Sequence, residues 1–361
     1  MSTKKYKIVK SESIVYKGRT LYRIKALKTF CVACTAISIV VKKGELGGFI
    51  ETENNLSQEG YCWIFNNAKV YDDARVSEDA KICGGAEIFD SAEVFGNAEI
   101  SGNTQIFYGA HVCGNAKVYG YAKVCGKARV YGEAKVYNFA KILDNAQVYD
   151  NAKIYENTIV AGDVQIYHNA QVYGNAWIYD DAFICDNARI YGLAKIFNKA
   201  IVYGNAKVYG NAQIFGKAKV YGNAEVYENA EIFDYAFIFG DAKAFSNAKI
   251  FGTTWLYCAA KIGDKLSLNK GKYIFATLNI DETLSEIEPI CYKISFAVRV
   301  IELKLPIEQG YIESLVSELA KYDELIDYFH SNECEIIFTP NENKIYKLLL
   351  QSKQNIENFY K

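Results

Sequence analysis

Asn115-Ala-Lys-Val-Tyr-Gly120 recurs without change as Asn205-Ala-Lys-Val-Tyr-Gly210, and the offset between the two is a multiple of six. Stepping by six from Ala68 to Ala260 visits 33 positions, of which 29 are alanine; the others, Thr104, Thr158, Val164 and Thr254, are also small. Two residues further on runs a second series, Val70 to Ile262. It is valine or isoleucine throughout, save Ala244 and Leu256. Cys62 and Ile64 already fit the register, and it never slips.

A small residue and a β-branched residue two apart face the same side of an extended backbone. The Gly-Asn or Asp-Asn pair that follows, as at Gly204-Asn205 or Asp144-Asn145, supplies residues that tolerate the left-handed backbone of a sharp corner. One short strand and one corner per hexad make a prism whose coils stack, each needing its neighbours to bury its interior. No single hexad shows how many make a coil; if three do, every third hexad returns to the same face. Eleven coils follow, at a strand spacing of ~4.8 Å, on the order of 50 Å in all.

This alternation of an aliphatic residue with a small one four places later resembles the hexapeptide-repeat proteins, over residues 62 to 263. The resemblance implies an all-β, left-handed parallel β-helix of three-sided coils. The opening stretch holds Gly47-Gly48-Phe49-Ile50, Asn55-Leu56-Ser57-Gln58 and Cys62-Trp63-Ile64-Phe65. It is similar to YdcK-like bacterial proteins, which are β-helical and have no settled activity.

An open β-helix exposes backbone at both ends, so caps are expected. Residues 1–61 fit a β cap, with strands over Tyr6–Val9, Leu21–Leu27 and Ala36–Val41 and a turn at Lys17-Gly18. Residues 264–361 fit an α+β domain that caps or interacts. Tyr273–Leu278, Ile294–Val300 and Cys334–Thr339 read as strands. Ile312 to Phe329 reads as an amphipathic helix, and a last helix carries Ile345 to Phe359.

Function is expected on the outer surface. The residue after the aliphatic column is aromatic in 24 of 33 hexads. Taking every third hexad collects Tyr119, Tyr137, Tyr155, Tyr173, Tyr191, Tyr209 and Tyr227 in one column. Beside it lie Lys81, Lys117, Lys135, Lys153, Arg189, Lys207, Lys243 and Lys261, interrupted by Glu99, Gln171 and Glu225. In-register aromatics stabilise stacked strands by themselves. The functional reading of this face is a polyanion or nucleic-acid surface, against which the formal net charge of -1 weighs. Phe197, Phe215, Phe233 and Phe251, with Trp177 and Trp255, form an apolar set suited to contact with another subunit. The hexapeptide-repeat resemblance makes a homotrimer the first expectation, with a different protein partner as the alternative.

The same resemblance implies acyl transfer by a histidine base beside a loop that leaves the helix. No loop interrupts the register, and the chain has three histidines: His111, His168 and His330. His168, in a corner slot, is the candidate base if the chain is an enzyme, although the reading leans to a non-enzymatic scaffold or binding protein. The histidines do not stack as three zinc ligands would. Cys31-x-x-Cys34 lacks two further ligands for zinc, so no metal and no cofactor are expected. The most apolar early run, Cys31 to Val41, is too short to cross a membrane. Of the outward cysteines Cys83, Cys113, Cys125 and Cys185, Cys113 and Cys185 share a column but stand four coils apart, too far to bridge; with no visible signal segment, the chain reads as cytoplasmic and reduced.

Overall fold

The computed structural model describes residues 4–32, 39–257, 260–263, 265–274 and 277–278. They are nearly all β: a parallel β-solenoid of about 12 turns with an N-terminal strand cap. The chain divides into two compact units, Met1–Asn198 and Lys199–Lys361. The helices expected over 312–329 and 345–359, the strands expected over 294–300 and 334–339, and Cys34 and His330 lie outside the described residues.

In the first unit, each hexad contributes a two-residue strand, from Trp63–Ile64 to Lys195–Ile196. Each strand pairs in parallel with the third strand after it. Thus Lys117 aligns with Lys135 and Lys135 with Lys153; Glu93 aligns with His111 and His111 with Arg129; Lys123 aligns with Lys141 and Ile159 with Trp177. Three series of strands follow, one per face. The second unit keeps the same register, with Lys207 on Glu225, Glu225 on Lys243 and Lys243 on Lys261. Its longest described strand in the repeat, Lys249–Tyr257, continues through the corner that elsewhere separates two faces.

Both inward columns are sealed. The alanines from Ala68 to Ala260 and the valines and isoleucines from Val70 to Ile262 are buried at every level, Ala244 and Leu256 included. Three aliphatic side chains per coil cannot offset the conformational entropy of ordering that coil alone, so each coil depends on its neighbours. Where threonine replaces alanine, its hydroxyl is satisfied locally: Thr104 and Thr158 donate to Ser101 O and Tyr155 O at 2.6 and 2.7 Å.

The solenoid has about one turn more than the eleven expected. Parallel pairing already begins with Ile50 on Val70 and Leu56 on Val76. It continues beyond Ile262, with Leu268 beside Ile250 and Leu278 beside Ile262. The alanine and valine series marks the regular hexads, not the full extent of coil pairing.

The corners carry a device that the repeat does not advertise. The residue two after the aliphatic position has positive φ, as at Gly132 (67°), Asn138 (59°) and Asp144 (57°). Acidic residues in this slot accept the backbone N–H of the same slot one coil later. Glu78 accepts from Gly96 N at 2.9 Å, Glu156 from Gly174 N at 2.8 Å and Glu228 from Ser246 N at 2.8 Å. An N–H at a corner, off the strand ladder, would otherwise depend on water.

The cap answers a matching problem at the start of the solenoid. Carbonyls of a coil accept from the coil before it, as Ala116 O does from Glu99 N and Gly120 O from Asn103 N. The opening coil needs donors from elsewhere. Strands β1 (Tyr6–Tyr16), β2 (Arg19–Ala26) and β5 (Leu46–Ile50) form a sheet over it, with β3 (Phe30–Val32) and β4 (Ile39–Val41) as a side hairpin. From this cap, the buried Lys5 ammonium donates to Glu59 O, Gly60 O and Cys62 O at 3.1, 3.3 and 3.1 Å. Tyr6 OH donates to Leu56 O at 2.6 Å, and Arg23 to Asn66 O at 2.9 Å. The expected Lys17-Gly18 turn joins β1 to β2, both residues at positive φ, the geometry of a two-residue hairpin.

Candidate functional site

The tyrosine column is a stack of rings. From Tyr119 through Tyr137, Tyr155 and Tyr173 to Tyr191, successive centroids lie 4.8, 4.9, 4.8 and 5.0 Å apart, with planes within 6°. In the second unit, Tyr209 stacks on Tyr227 at 5.0 Å and Tyr227 on Phe245 at 5.4 Å. The rings are half-buried at the corner. Burial, then the neighbouring phenols Tyr137 and Tyr173, push the Tyr155 hydroxyl up to about 12.

The lysine row beside them is not uniformly basic. Glu99, read as an interruption, is an ion-pair centre: it holds Lys81 at 3.3 Å and Lys117 at 2.9 Å. Burial opposes its ionisation, but the hydrogen bond to Lys117 and the charges of Lys117 and Lys81 outweigh that and keep the carboxyl below its usual range. Glu225 does the same between Lys207 and Lys243, at 3.0 and 2.9 Å. Of the candidate cations, Lys117 and Lys207 therefore each share one carboxylate with a second lysine, which leaves each trio with one positive charge in excess. Among the described residues, Lys135, Lys153 and Arg189 make no ion pair.

The apolar set divides in a similar way. Phe215, Phe233 and Phe251 stack at 4.8 and 4.7 Å, and Phe197 stacks on Tyr179 at 4.8 Å, all half-buried. Much of their ring surface is thus engaged within the column. Trp177 is 49% exposed, whereas Trp255, 38% exposed, meets the rings of Phe237 and Phe239 at 5.3 and 6.3 Å.

His168 occupies a corner with φ of 54°. Its Nδ1 lies 2.9 Å from Asp186 Oδ1 and its Nε2 is 3.9 Å from Asp150 Oδ2, while its ring meets Tyr167 edge-on at 4.7 Å. A carboxylate that orients an imidazole is one half of a general-base device. Here, however, the ring is exposed on a convex corner between two carboxylates, a setting equally suited to holding the corner together. His111 lies 3.4 Å from Glu93 through Nε2.

No group of three or more His, Cys, Asp or Glu among the described residues is placed to hold a metal ion. Cys31, Cys62, Cys83, Cys113, Cys125 and Cys185 are free thiols. Cys185, expected to face outward, is buried against Tyr167, and burial raises its thiol. No helix among the described residues is long and apolar enough to cross a membrane.

Sequence reasoning missed the exposed apolar side chains of the corner slot, which include Leu193 and Tyr235, each 54% exposed, and a stacked pair. Tyr121 and Phe139, in the outermost corner slot, are 54% and 55% exposed and stack on each other at 5.2 Å. The signal was available, since this slot is usually Asn, Asp, Glu or Lys and an aromatic there has no inward role. The chain matches no family model and no curated protein.

Proposed function

We propose that the chain is a non-enzymatic β-solenoid whose outer columns form an extended binding surface for a macromolecular partner or a second copy of itself. The observation that carries this reading is the register of three hexads per coil. It sets outward side chains in columns one strand spacing apart, so neighbouring coils present like groups side by side. Such a grid suits a long or repetitive partner better than a small substrate. We place the chain with the hexapeptide-repeat β-helices on its repeat, and its opening segment with that of the YdcK-like proteins on the opening motifs. The free thiols fit a cytoplasmic setting.

The test is light scattering of the full-length chain, alone and as Trp177→Lys. A homo-oligomer, with three copies the first expectation, that dissociates on this substitution supports self-association through the Ile159–Trp177 column. A monomer that binds no macromolecule overturns the reading. Acyl transfer is the competing activity, favoured only by the Asp186–His168 contact at 2.9 Å. Release of thiol from acetyl-coenzyme A that disappears in His168→Ala would establish it in place of the binding role.

A further inference from the structure

Two consecutive coils carry nearly the same seven residues around one corner. Lys117 to Lys123 reads KVYGYAK, and Lys135 to Lys141 reads KVYNFAK. The parallel register places Lys135 on Lys117 and Lys141 on Lys123. Between these lysine columns stand two aromatic columns, Tyr119 on Tyr137 at 4.8 Å and Tyr121 on Phe139 at 5.2 Å.

Two features mark this corner. The first is charge. Residues 100–156, which span all four lysines, contain seven lysines and arginines and four acidic residues, Glu133, Asp144, Asp150 and Glu156, and the last three accept the corner N–H groups of Gly162, His168 and Gly174. Among the described residues, Lys123, Lys135, Lys141 and Lys153 make no ion pair, although Lys123 faces Lys141 and Lys135 faces Lys153 across adjacent strands. Like charges directly opposed destabilise a sheet. The acids nearest in sequence on the N-terminal side are already engaged. Asp72 pairs with Arg19, Glu87 with Lys17, Glu78 and Asp90 with corner N–H groups, and Glu99 with Lys81 and Lys117. Most of the carboxylates in this acidic stretch thus already have partners, which leaves the four lysines free to meet an anionic ligand.

The second feature is open ring surface. In the long tyrosine column each inner ring is covered on both faces by its neighbours. The Tyr121–Phe139 stack has only two rings, in a column whose adjacent members are Asn103 and Asn157. Its outer faces and edges are left over half exposed. Trp177, two coils beyond Lys141 in the same column, is the next exposed aromatic.

We propose that this corner binds single-stranded nucleic acid. Phosphates lie along Lys123, Lys135, Lys141 and Lys153, and unpaired bases pack on Tyr121 and Phe139. The ligand must be anionic along its length and carry planar groups free to stack. A duplex keeps its bases stacked on each other, and a sulfated polysaccharide has no planar groups. This inference rests on the reading of the outer columns as a binding surface, and it names the class of partner.

The experiment is fluorescence anisotropy of a labelled oligouridylate of about 15 nucleotides against the full chain, with heparin and duplex DNA alongside. Four phosphate contacts give a salt slope of about −2.8, a loss of affinity of about 50-fold between 50 and 200 mM salt. Lys123→Gln/Lys141→Gln should reduce the slope by about half. Tyr121→Ser/Phe139→Ser should weaken oligouridylate binding about tenfold, leaving the slope and heparin binding unchanged. Circular dichroism and the melting temperature establish that each variant is folded. The proposal is overturned if no oligonucleotide binds at 50 mM salt. It is also overturned if neither pair of substitutions matters, or if the duplex or heparin binds as tightly and the aromatic pair has no effect. Should the chain self-associate yet bind no oligonucleotide, the nucleic-acid inference falls and the binding-surface reading stands; should it do neither, both fall.

Discussion

Glu87 ties the cap to the solenoid, and its removal gives the sharpest test of how the two are joined. Its carboxylate accepts from Tyr16 OH at 2.6 Å, Lys17 Nζ at 2.8 Å and Tyr71 OH at 3.3 Å. Its side chain is 13% exposed, whereas that of Lys17 is 47% exposed. The Lys17 pair is therefore well screened and contributes no more than about 1 kcal/mol. The Tyr16 contact is a charge-assisted hydrogen bond in partial burial, contributing about 1.5 kcal/mol. Glu87→Gln should then cost about 2 kcal/mol, or roughly 30-fold in the folded-to-unfolded ratio. Burial opposes ionisation of Glu87, but the hydrogen bonds from Lys17 and Tyr16 outweigh it, so its folded pKa lies below the ordinary value. A depressed carboxyl stabilises the fold above its unfolded pKa, and that contribution is lost as pH falls through the folded value. Urea unfolding followed by tryptophan fluorescence reads the cap through Trp63, which is buried there against Tyr6 and Phe30. The gap between wild type and Glu87→Gln should be constant from neutral pH to about pH 5 and close in stronger acid. A gap that persists when the carboxyl is protonated, or a cost below about 0.5 kcal/mol at neutral pH, would refute the reasoning. So would failure of Tyr16→Phe to absorb most of the effect in a double-mutant cycle.

Three further substitutions probe the same physics elsewhere. Lys5→Met removes the donor shared by Glu59 O, Gly60 O and Cys62 O. It should destabilise the cap by about 3 kcal/mol, measured as a lower urea midpoint at unchanged slope. Gly48→Ala places a Cβ 2.4 Å from Ile64 Cγ2 and 2.5 Å from Ala68 O. The expected cost is about 1–3 kcal/mol, visible in the melting temperature, because a backbone oxygen cannot move aside. Lys141→Glu replaces a like-charge register opposite Lys123 with an opposite-charge one. It should raise stability by a few tenths of a kcal/mol, about 0.2–1, while weakening oligonucleotide binding at least as much as Lys123→Gln/Lys141→Gln; a loss of stability would show that the lysine pair is not a source of repulsion.

The solenoid was legible because its interior obeys a rule with one variable. Ala116 and Val118 must point inward whatever else happens, and period two within period six states this in letters. The columns were legible too, since Tyr119 and Tyr137 must be neighbours once a coil takes three hexads. What the columns do was not, because stacking rings satisfy each other whether or not a ligand comes. Glu99 read as a gap in a basic row until its distances to Lys81 and Lys117 showed an ion-pair centre. Nothing in the sequence singles out Lys5 among the N-terminal lysines, because burial over three carbonyls depends on how the cap crosses the opening coil, which no local pattern encodes. The acidic corners were hidden for a similar reason: Asp, Asn and Gly all satisfy a positive φ, so the letters do not reveal which ones also cap an N–H.

The formal net charge of -1 counted against a polyanion surface, yet it is the wrong quantity for a molecule built in columns. Residues 279–361 carry 15 acidic and 8 basic side chains, leaving 27 acidic and 33 basic in the chain before them. Screening at physiological salt confines the field of exposed charges to about 8 Å, less than two strand spacings. A lysine at Lys123 or Lys141 therefore responds to the residues one coil before and after it: Gln105, Lys141, Lys123 and Ile159. None of these is acidic. In a solenoid, attraction for a charged partner is set coil by coil along each column, so a chain that is neutral in sum can still present a corner that is basic wherever a strand of phosphates would meet it.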